Sequence, residues 1–578
     1  MVKIKFNYLP SKFVPPDVTI RVFCLSILLS LINLILRYQV PTTAGGNTTF
    51  DDLLGVRLAS HILNGDWLGP WSNLTLAKPS GYSIYLAIIH YVPIEVSLIT
   101  QIFVILSSFY FATSLIKFVK SLHLKNFIFI FSIVYLIFNP NFFGHDFSRV
   151  YRTSLNCIFV ILISSTFLRI IYLLDEDSFL QANSKSNKHS LTRQGIYFGL
   201  AASGLFLTRS DSFWLTSALI VTFAAYVFVK TFKLKGNKNS QLFVSRSAFL
   251  LLIGFLSYIL PISLIGQINN TYYGTSLTEN YFSGNFAKAV KLWEGVVDGA
   301  DNRPGVWISK GQREAVYSIS VTANLLRPFL ETPPNTGWKM ASCQSAAKIC
   351  DESGNWFMWD LRDAAVSAGN IKSEASFQEF FRAISEDISN ACRDGKLQCQ
   401  RPGLSAGAPP LSRLSMKQIL DGAVQTFASI INQLPGANIE HTLESDDPSI
   451  VAEWHSVVNF REVVIPNSNF YWMGMGQTLI LINQIYVFLG LILLLITIIF
   501  ALYKIATNLD LWFFLVYGNL LAFVLFCIGI GIFGASQGFT PGYGLYSLPG
   551  AQTYALLMLI SLAGFLDNSK SAVDRIIK

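Results

Sequence analysis

Long apolar runs separated by short polar stretches dominate the chain. A helix needs about 20 mostly apolar residues to cross a bilayer. On that measure ten runs predict spans: 20–38, 96–117, 126–140, 154–174, 194–209, 212–231, 247–267, 476–503, 511–535 and 550–566. The fifth is short. Residues 79–93 are apolar too, but short and bracketed by prolines, which predicts an interfacial or re-entrant helix. The first run, from about Val22 to Leu36, has no small-residue cleavage site and is read as a retained span. A long, more polar segment at 268–475 interrupts the series and is large enough for its own core. In it Phe377, Phe380, Phe381, Ile384 and Ile388 recur at helical spacing, and RPGLSAGAPP marks a break. The expected fold class is mainly α, a polytopic membrane protein with about ten spans and a large outward α-containing domain. The expected units are a core at 1–267 with its first outer loop at 39–95, the domain at 268–475, and C-terminal spans at 476–578.

Composition agrees with this pattern. The 578 residues are 52% hydrophobic and 13% charged, against about 25% charged in average soluble domains. The net charge of +8 lies in short clusters between apolar runs. No basic stripe with interleaved aromatics points to nucleic acid. Those clusters set an orientation. Lys3, Lys5, Lys12, Arg21, Lys117, Lys120, Lys125, Lys185, Lys188, Arg193, Lys230, Lys233, Lys235, Lys238, Arg246, Lys570, Arg575 and Lys578 all fall on one side if ten runs span. By the positive-inside rule that side is cytoplasmic, with both termini. Loop 39–95, loop 140–153, the turn near 208–212, segment 268–475 and loop 536–549 then face outward together. Cys343, Cys350, Cys392 and Cys399 are the cysteines of the outward segment, which predicts disulfides with connectivity open. Their six-residue spacers are not zinc-like.

The outward side also collects the candidate chemistry. In FDDLLGVRLASHILNGDWLGP, residues 50–70, Leu54, Leu58 and Ile62 recur every four residues and predict an amphipathic helix at the interface. Thr49 fits its N-cap and Asp52 the capping-box position. That gives Asp52 a structural role, whereas Asp51 is left for general-base work. Lys78, Arg149, Arg152 and Arg209 stand at span ends on the same side, with His145, Asp146 and Asp211 beside them in sequence. Singly these cations read as snorkelling residues. Together they suggest an anionic ligand at the membrane surface, and a lipid phosphate suits arginine forks. There is no Walker loop, HExxH or GxSxG, the histidines are scattered, and no metal site is expected.

The loop resembles the first outer loop of GT-C glycosyltransferases, in the branch of protein O-mannosyltransferases and lipid A aminoarabinose transferases. The likeness rests on Asp51-Asp52, Gly65-Asp66-Trp67 and Lys78-Pro79. LTRSDSFWL is similar to the family's basic turn between the fifth and sixth spans. TPGYGLYSLPG resembles its late Arg-Tyr-x-x-Pro element but lacks the arginine. The resemblance covers roughly 1–267. Related enzymes often place a second acidic residue late in the second outer loop, where Arg152-Thr153 stands here. The resemblance implies a membrane glycosyltransferase that moves a sugar from a polyprenyl-phosphate carrier to a glycan, lipid or protein acceptor, with inversion, on the outer face of the plasma or inner membrane. Asp51 and Asp52 would be the catalytic pair. Lys78, Arg149, Arg152 and Arg209 would bind the donor phosphate. His145, Asp146 and Asp211 would shape the site or meet the acceptor. No cofactor beyond the lipid-linked donor is implied. Two rivals stand beside it: a GT-C-like polymerase or ligase of lipid-linked glycans, and a transporter or flippase of lipid-linked sugars.

Overall fold

A computed structural model describes the chain apart from residues 1–13, 46–47, 176–184, 211–212, 235–237, 302, 346–347, 370, 404–413, 432–444, 446, 460–471, 508, 538–543 and 578. The chain is a multi-pass, mainly helical membrane protein. Among the described residues no strand forms, and only two isolated bridges occur, Thr43 with Arg149 and Val296 with Cys399. The principal helices are α1 (Ile20–Gln39), α2 (Asp52–Leu63), α3 (Gly81–Ile89), α4 (Val96–Leu115), α5 (Leu122–Ile137), α6 (Thr153–Leu174), α7 (Lys185–Thr208), α8 (Phe213–Lys233) and α9 (Lys238–Tyr273). There follow α10 (Gly284–Glu294), α11 (Phe357–Gly369), α12 (Glu374–Arg393), α13 (Met416–Ile431), α14 (Pro448–His455), α15 (Trp472–Ala506), α16 (Leu511–Gln537) and α17 (Gly544–Ile577).

Among the described residues nine helices are long and apolar enough to cross a membrane: α1, α4, α5, α6, α8, α9, α15, α16 and α17. The hydropathy pattern predicts ten. The difference is α7, whose first half carries Lys185, Lys188 and Arg193. It packs along α6 and α9 all the same. Glycines let it lie close: a Cβ on Gly199 would sit 2.3 Å from the Gly254 carbonyl oxygen, and one on Gly204 would strike the Phe159 ring at 2.4 Å. Small residues at such contacts are the usual means by which membrane helices approach. With nine residues, α3 is only about 13 Å long, too short to span. It caps the bundle beside α2, with Gly81 against the Leu207 carbonyl.

Ion pairs separate the two ends of the bundle. At one end Lys125 meets Asp17 at 2.6 Å, Lys230 meets Asp175 at 3.3 Å, and Lys504 meets Asp510 at 2.5 Å. Asp567 accepts from the Lys120 backbone N–H there, and Lys233 donates to the Leu509 carbonyl. At the other end lie α2, α3, the 140–152 turn and the α7–α8 turn. α17 runs between them through the middle of the bundle, its polar Ser547, Gln552, Thr553 and Ser561 fully enclosed.

The segment after α9 folds around its own core, built from Phe286, Trp293, Phe357, Leu361, Phe377, Phe381, Ile384 and Ile388. The expected helix is α12. Four of its five marked residues are buried, while Phe380 packs at the margin. Cys343–Cys350 and Cys392–Cys399 are the disulfides. The segment does not stay in one body. α13 lies against α16, where a Cβ on Gly531 would sit 2.5 Å from the Ala423 nitrogen. Its Gly422, Thr426 and Ile430 are buried, and Met416, Leu420 and Val424 face outward. α14 returns to α2, where Glu453 meets Arg57 at 2.8 Å.

Candidate active site

Loop 39–95 folds across its end of the bundle by a series of anchors. Gly65 and Gly69 take positive φ and Trp67 is forced to φ 50° between them, so the loop doubles back. The Trp67 indole then donates to Asn269 on α9 at 2.8 Å, and Asp66 meets His61 at 3.2 Å. The Gly-Asp-Trp element is therefore a hinge anchor. The next stretch is held from the other domain. Arg362 on α11 donates to the carbonyls of Asn73 and Thr75 at 2.5 and 2.8 Å. Asn73 donates to Asp363, and the Asn280 N–H reaches the Leu76 carbonyl at 2.8 Å. Burial pushes the Arg362 guanidinium down to about 10. This clamp delivers Lys78 to the site.

Helix α2 starts later than the capping-box reading held. Its N-cap is Asp51, with no side-chain cap bond, and Asp52 is its first helical residue. Thr49 caps nothing. Asp52 has a different structural task. Its carboxylate is fully buried and accepts from Arg149 Nε at 2.6 Å and from the Gly45 N–H at 3.0 Å. Nearby, Thr43 N–H donates to Ser148 and Val150 N–H donates to Thr43, at 3.0 and 2.8 Å. Asp52 thus ties the first loop to the second. Asp51 is turned the other way. Its side chain is 28% exposed, is paired with Lys78, and accepts from the Tyr151 hydroxyl at 3.4 Å.

Tyr151 is the hub of the cations. Lys78 Nζ, the Arg149 guanidinium and the Arg152 guanidinium stand 5.4, 5.3 and 5.5 Å from its ring centre. Arg209 lies over the Tyr546 ring at 5.2 Å and adds to the same field. Burial, then repulsion from Arg152, Arg149 and Arg209, pushes the Lys78 ammonium well below the usual lysine range. Lys78, Arg149, Arg152 and Arg209 thus gather, among the described residues, around Asp51 and Asp52, a cluster of cations suited to an anion.

The structure brings Asp51, Asp52, Lys78, Arg149, Arg152 and Arg209 together. Asp146 sits in a short helical turn, His145–Ser148, and its side chain is partly exposed. Asp211 and the His145 side chain fall outside the described residues. Tyr151 carries no signal in the sequence beyond lying between Arg149 and Arg152. Phe50, Trp338, Trp356 and Trp359, which border the recess, carried no signal either. Beneath the α7–α8 turn a cavity of about 450 Å³ runs between α6, α7, α8 and α9, lined by Phe167, Phe198, Phe223, Leu250 and Tyr258. Its rim includes Phe213, Ile220 and Phe255, which are exposed on the outer face of the bundle. No family model matches the chain, and neither does any curated protein or solved structure.

Proposed function

We propose that this protein is a GT-C-type membrane glycosyltransferase that uses a polyprenyl-phosphate-linked sugar. The observation that carries the reading is one carboxylate, Asp51, partly exposed and paired with Lys78 in the field of Arg149, Arg152 and Arg209; a separate apolar cavity between α6, α7, α8 and α9 opens on the outer face of the bundle. The cavity suits a lipid chain and the cations suit its phosphate. Burial and the neighbouring arginines disfavour the Lys78 ammonium beside Asp51. A phosphate draws the Lys78 ammonium off Asp51. The freed carboxylate takes the proton of the acceptor hydroxyl. The acceptor oxygen forms its bond to the sugar C1 from the face opposite the phosphate. The C1–phosphate oxygen bond breaks, and its electron pair leaves with polyprenyl phosphate. The arginines stabilise that charge in place of a proton donor.

The end that holds the recess faces outward in this reading, because Lys117, Lys120, Lys125, Lys230, Lys233 and Lys504 stand toward the opposite end. Reporter fusions after Lys125 and near residue 300 should land on opposite sides of the membrane. The chemical test is Asp51→Asn, assayed by sugar transfer from a polyprenyl-phosphate donor in liposomes. Turnover should fall by about 100-fold or more, with folded yield unchanged. A variant that keeps near-normal turnover sinks the glycosyltransferase reading.

A further inference from the structure

An aromatic floor borders the Asp51–Lys78 pair. Phe50, next to Asp51 in the chain, packs against three tryptophans of the other domain. Its ring centre is 5.3 Å from Trp338, 5.1 Å from Trp356 and 5.5 Å from Trp359. Trp338 and Trp356 stack on one another at 5.8 Å. Lys78 Nζ stands 5.8 Å from the Trp359 ring centre, so the floor reaches the recess itself.

These side chains are not an ordinary piece of core. The domain's core tryptophan, Trp293, is wholly buried, but Phe50, Trp338, Trp356 and Trp359 are all only half-buried. None of them belongs to the domain's apolar core. Large aromatic surface left partly in water is unfavourable unless something covers it. Polar groups surround the rings. The Trp338 indole donates to Asp363 at 2.7 Å, and Asp363 also accepts from Asn73. The Trp356 indole N–H is enclosed and has no acceptor among the described residues.

We infer that this floor is a saccharide subsite and that the acceptor is a glycan. The inference rests on the glycosyltransferase reading for its placement beside Asp51. Flat indole rings bind the C–H faces of pyranose sugars, and neighbouring carboxylates and amides bind their hydroxyls. The cations of the recess are spent on phosphate, so the uncharged floor is left for a neutral sugar ring. An extended peptide acceptor fits less well. It needs an unpaired strand edge or backbone partners to hold it, and no strand exists among the described residues. The enzyme would thus lengthen or cap a carbohydrate rather than start one on protein.

The test uses the full-length protein in detergent. Binding of short linear gluco-, manno-, galacto- and chito-oligosaccharides is followed by calorimetry and by indole fluorescence, with a Ser/Thr-rich peptide as comparison. At least one oligosaccharide series should bind. Trp359→Ala and Trp356→Ala should each weaken it by roughly tenfold, as expected for losing an aromatic face. Trp359→Phe, which keeps a ring, should restore most of the binding and shows that the fold is intact. If no oligosaccharide series binds, if binding ignores the tryptophans, or if the peptide alone binds through them, the inference is overturned. Failure of the transferase reading looks different: Asp51→Asn would still transfer sugar while oligosaccharide binding stayed tryptophan-dependent.

Discussion

Asp52→Asn separates the buried ion pair from a helix cap. A cap residue is worth about 1 kcal/mol, and asparagine is as good a cap as aspartate. The Asp52 carboxylate instead accepts Arg149 Nε at 2.6 Å in a fully buried setting. Asparagine keeps an oxygen for the Gly45 N–H but removes the charge. Arg149 then stands near Lys78, Arg152 and Arg209 without this counter-charge. Breaking one side of a buried pair costs about 3–5 kcal/mol, and the lower end applies because the hydrogen bond to Gly45 survives. We expect about 3 kcal/mol for Asp52→Asn, and roughly 1 kcal/mol more for Asp52→Ala, which also orphans the Gly45 N–H. Arg149→Gln in the Asp52→Asn background should recover part of the loss, with a coupling energy of about 2 kcal/mol. The readout is unfolding of purified protein in mixed micelles, followed by tryptophan fluorescence, for both single variants and the double. Additivity within about 0.5 kcal/mol, or a loss near 1 kcal/mol for Asp52→Asn, refutes the ion-pair assignment.

The domain after α9 should be more stable in mild acid. Burial pushes the Asp360 carboxyl up from 3.8 to about 6, so its contribution is complete below about pH 4 and is lost as pH rises through 6. Between pH 5 and pH 7.5 the unfolding free energy should fall by about 1.4 kcal/mol, and Asp360→Asn should flatten that slope. Peptide mapping without reductant should recover Cys343 joined to Cys350 and Cys392 joined to Cys399. Replacing either pair by alanine should cost the domain about 2–3 kcal/mol, the loops being short; recovery of cross-linked Cys350 and Cys392 contradicts the structure. Gly531→Leu should push α13 off α16, because even a Cβ there would sit 2.5 Å from the Ala423 nitrogen. A cysteine placed at Phe427 should turn from protected to maleimide-reactive in that variant; continued protection argues against the contact.

The spans were legible because lipid-facing helices need nothing more than apolar length. α7 shows the limit of that rule. It packs by glycine contacts that hydropathy does not record, while Lys185, Lys188 and Arg193 dilute its apolar content. The site cations were legible because each stands at a span end on one side of the alternation, so Lys78, Arg149, Arg152 and Arg209 met as expected. The contact that holds Asp52 was not legible in the sequence. Asp52 is structural through Arg149, 97 positions away, and not through Thr49. α13 was hidden because its sixteen residues bury only a narrow glycine-bearing stripe. The tryptophans were hidden because nothing local ties Phe50 to Trp338, Trp356 or Trp359. Only the tertiary fold brings them together.

The Arg362 clamp has a consequence in time. The guanidinium that fixes the Asn73 carbonyl is made 289 residues after it. At ribosomal speeds of about 5–20 residues per second, that is roughly 15–60 s of synthesis. Throughout that interval the loop bearing Asp51 and Lys78 is already in the membrane without the groups that hold its shape. A nascent N-terminal half therefore carries the acid and the cations but not their arrangement. The loop takes its final shape only when the later domain emerges and Arg362 closes on it.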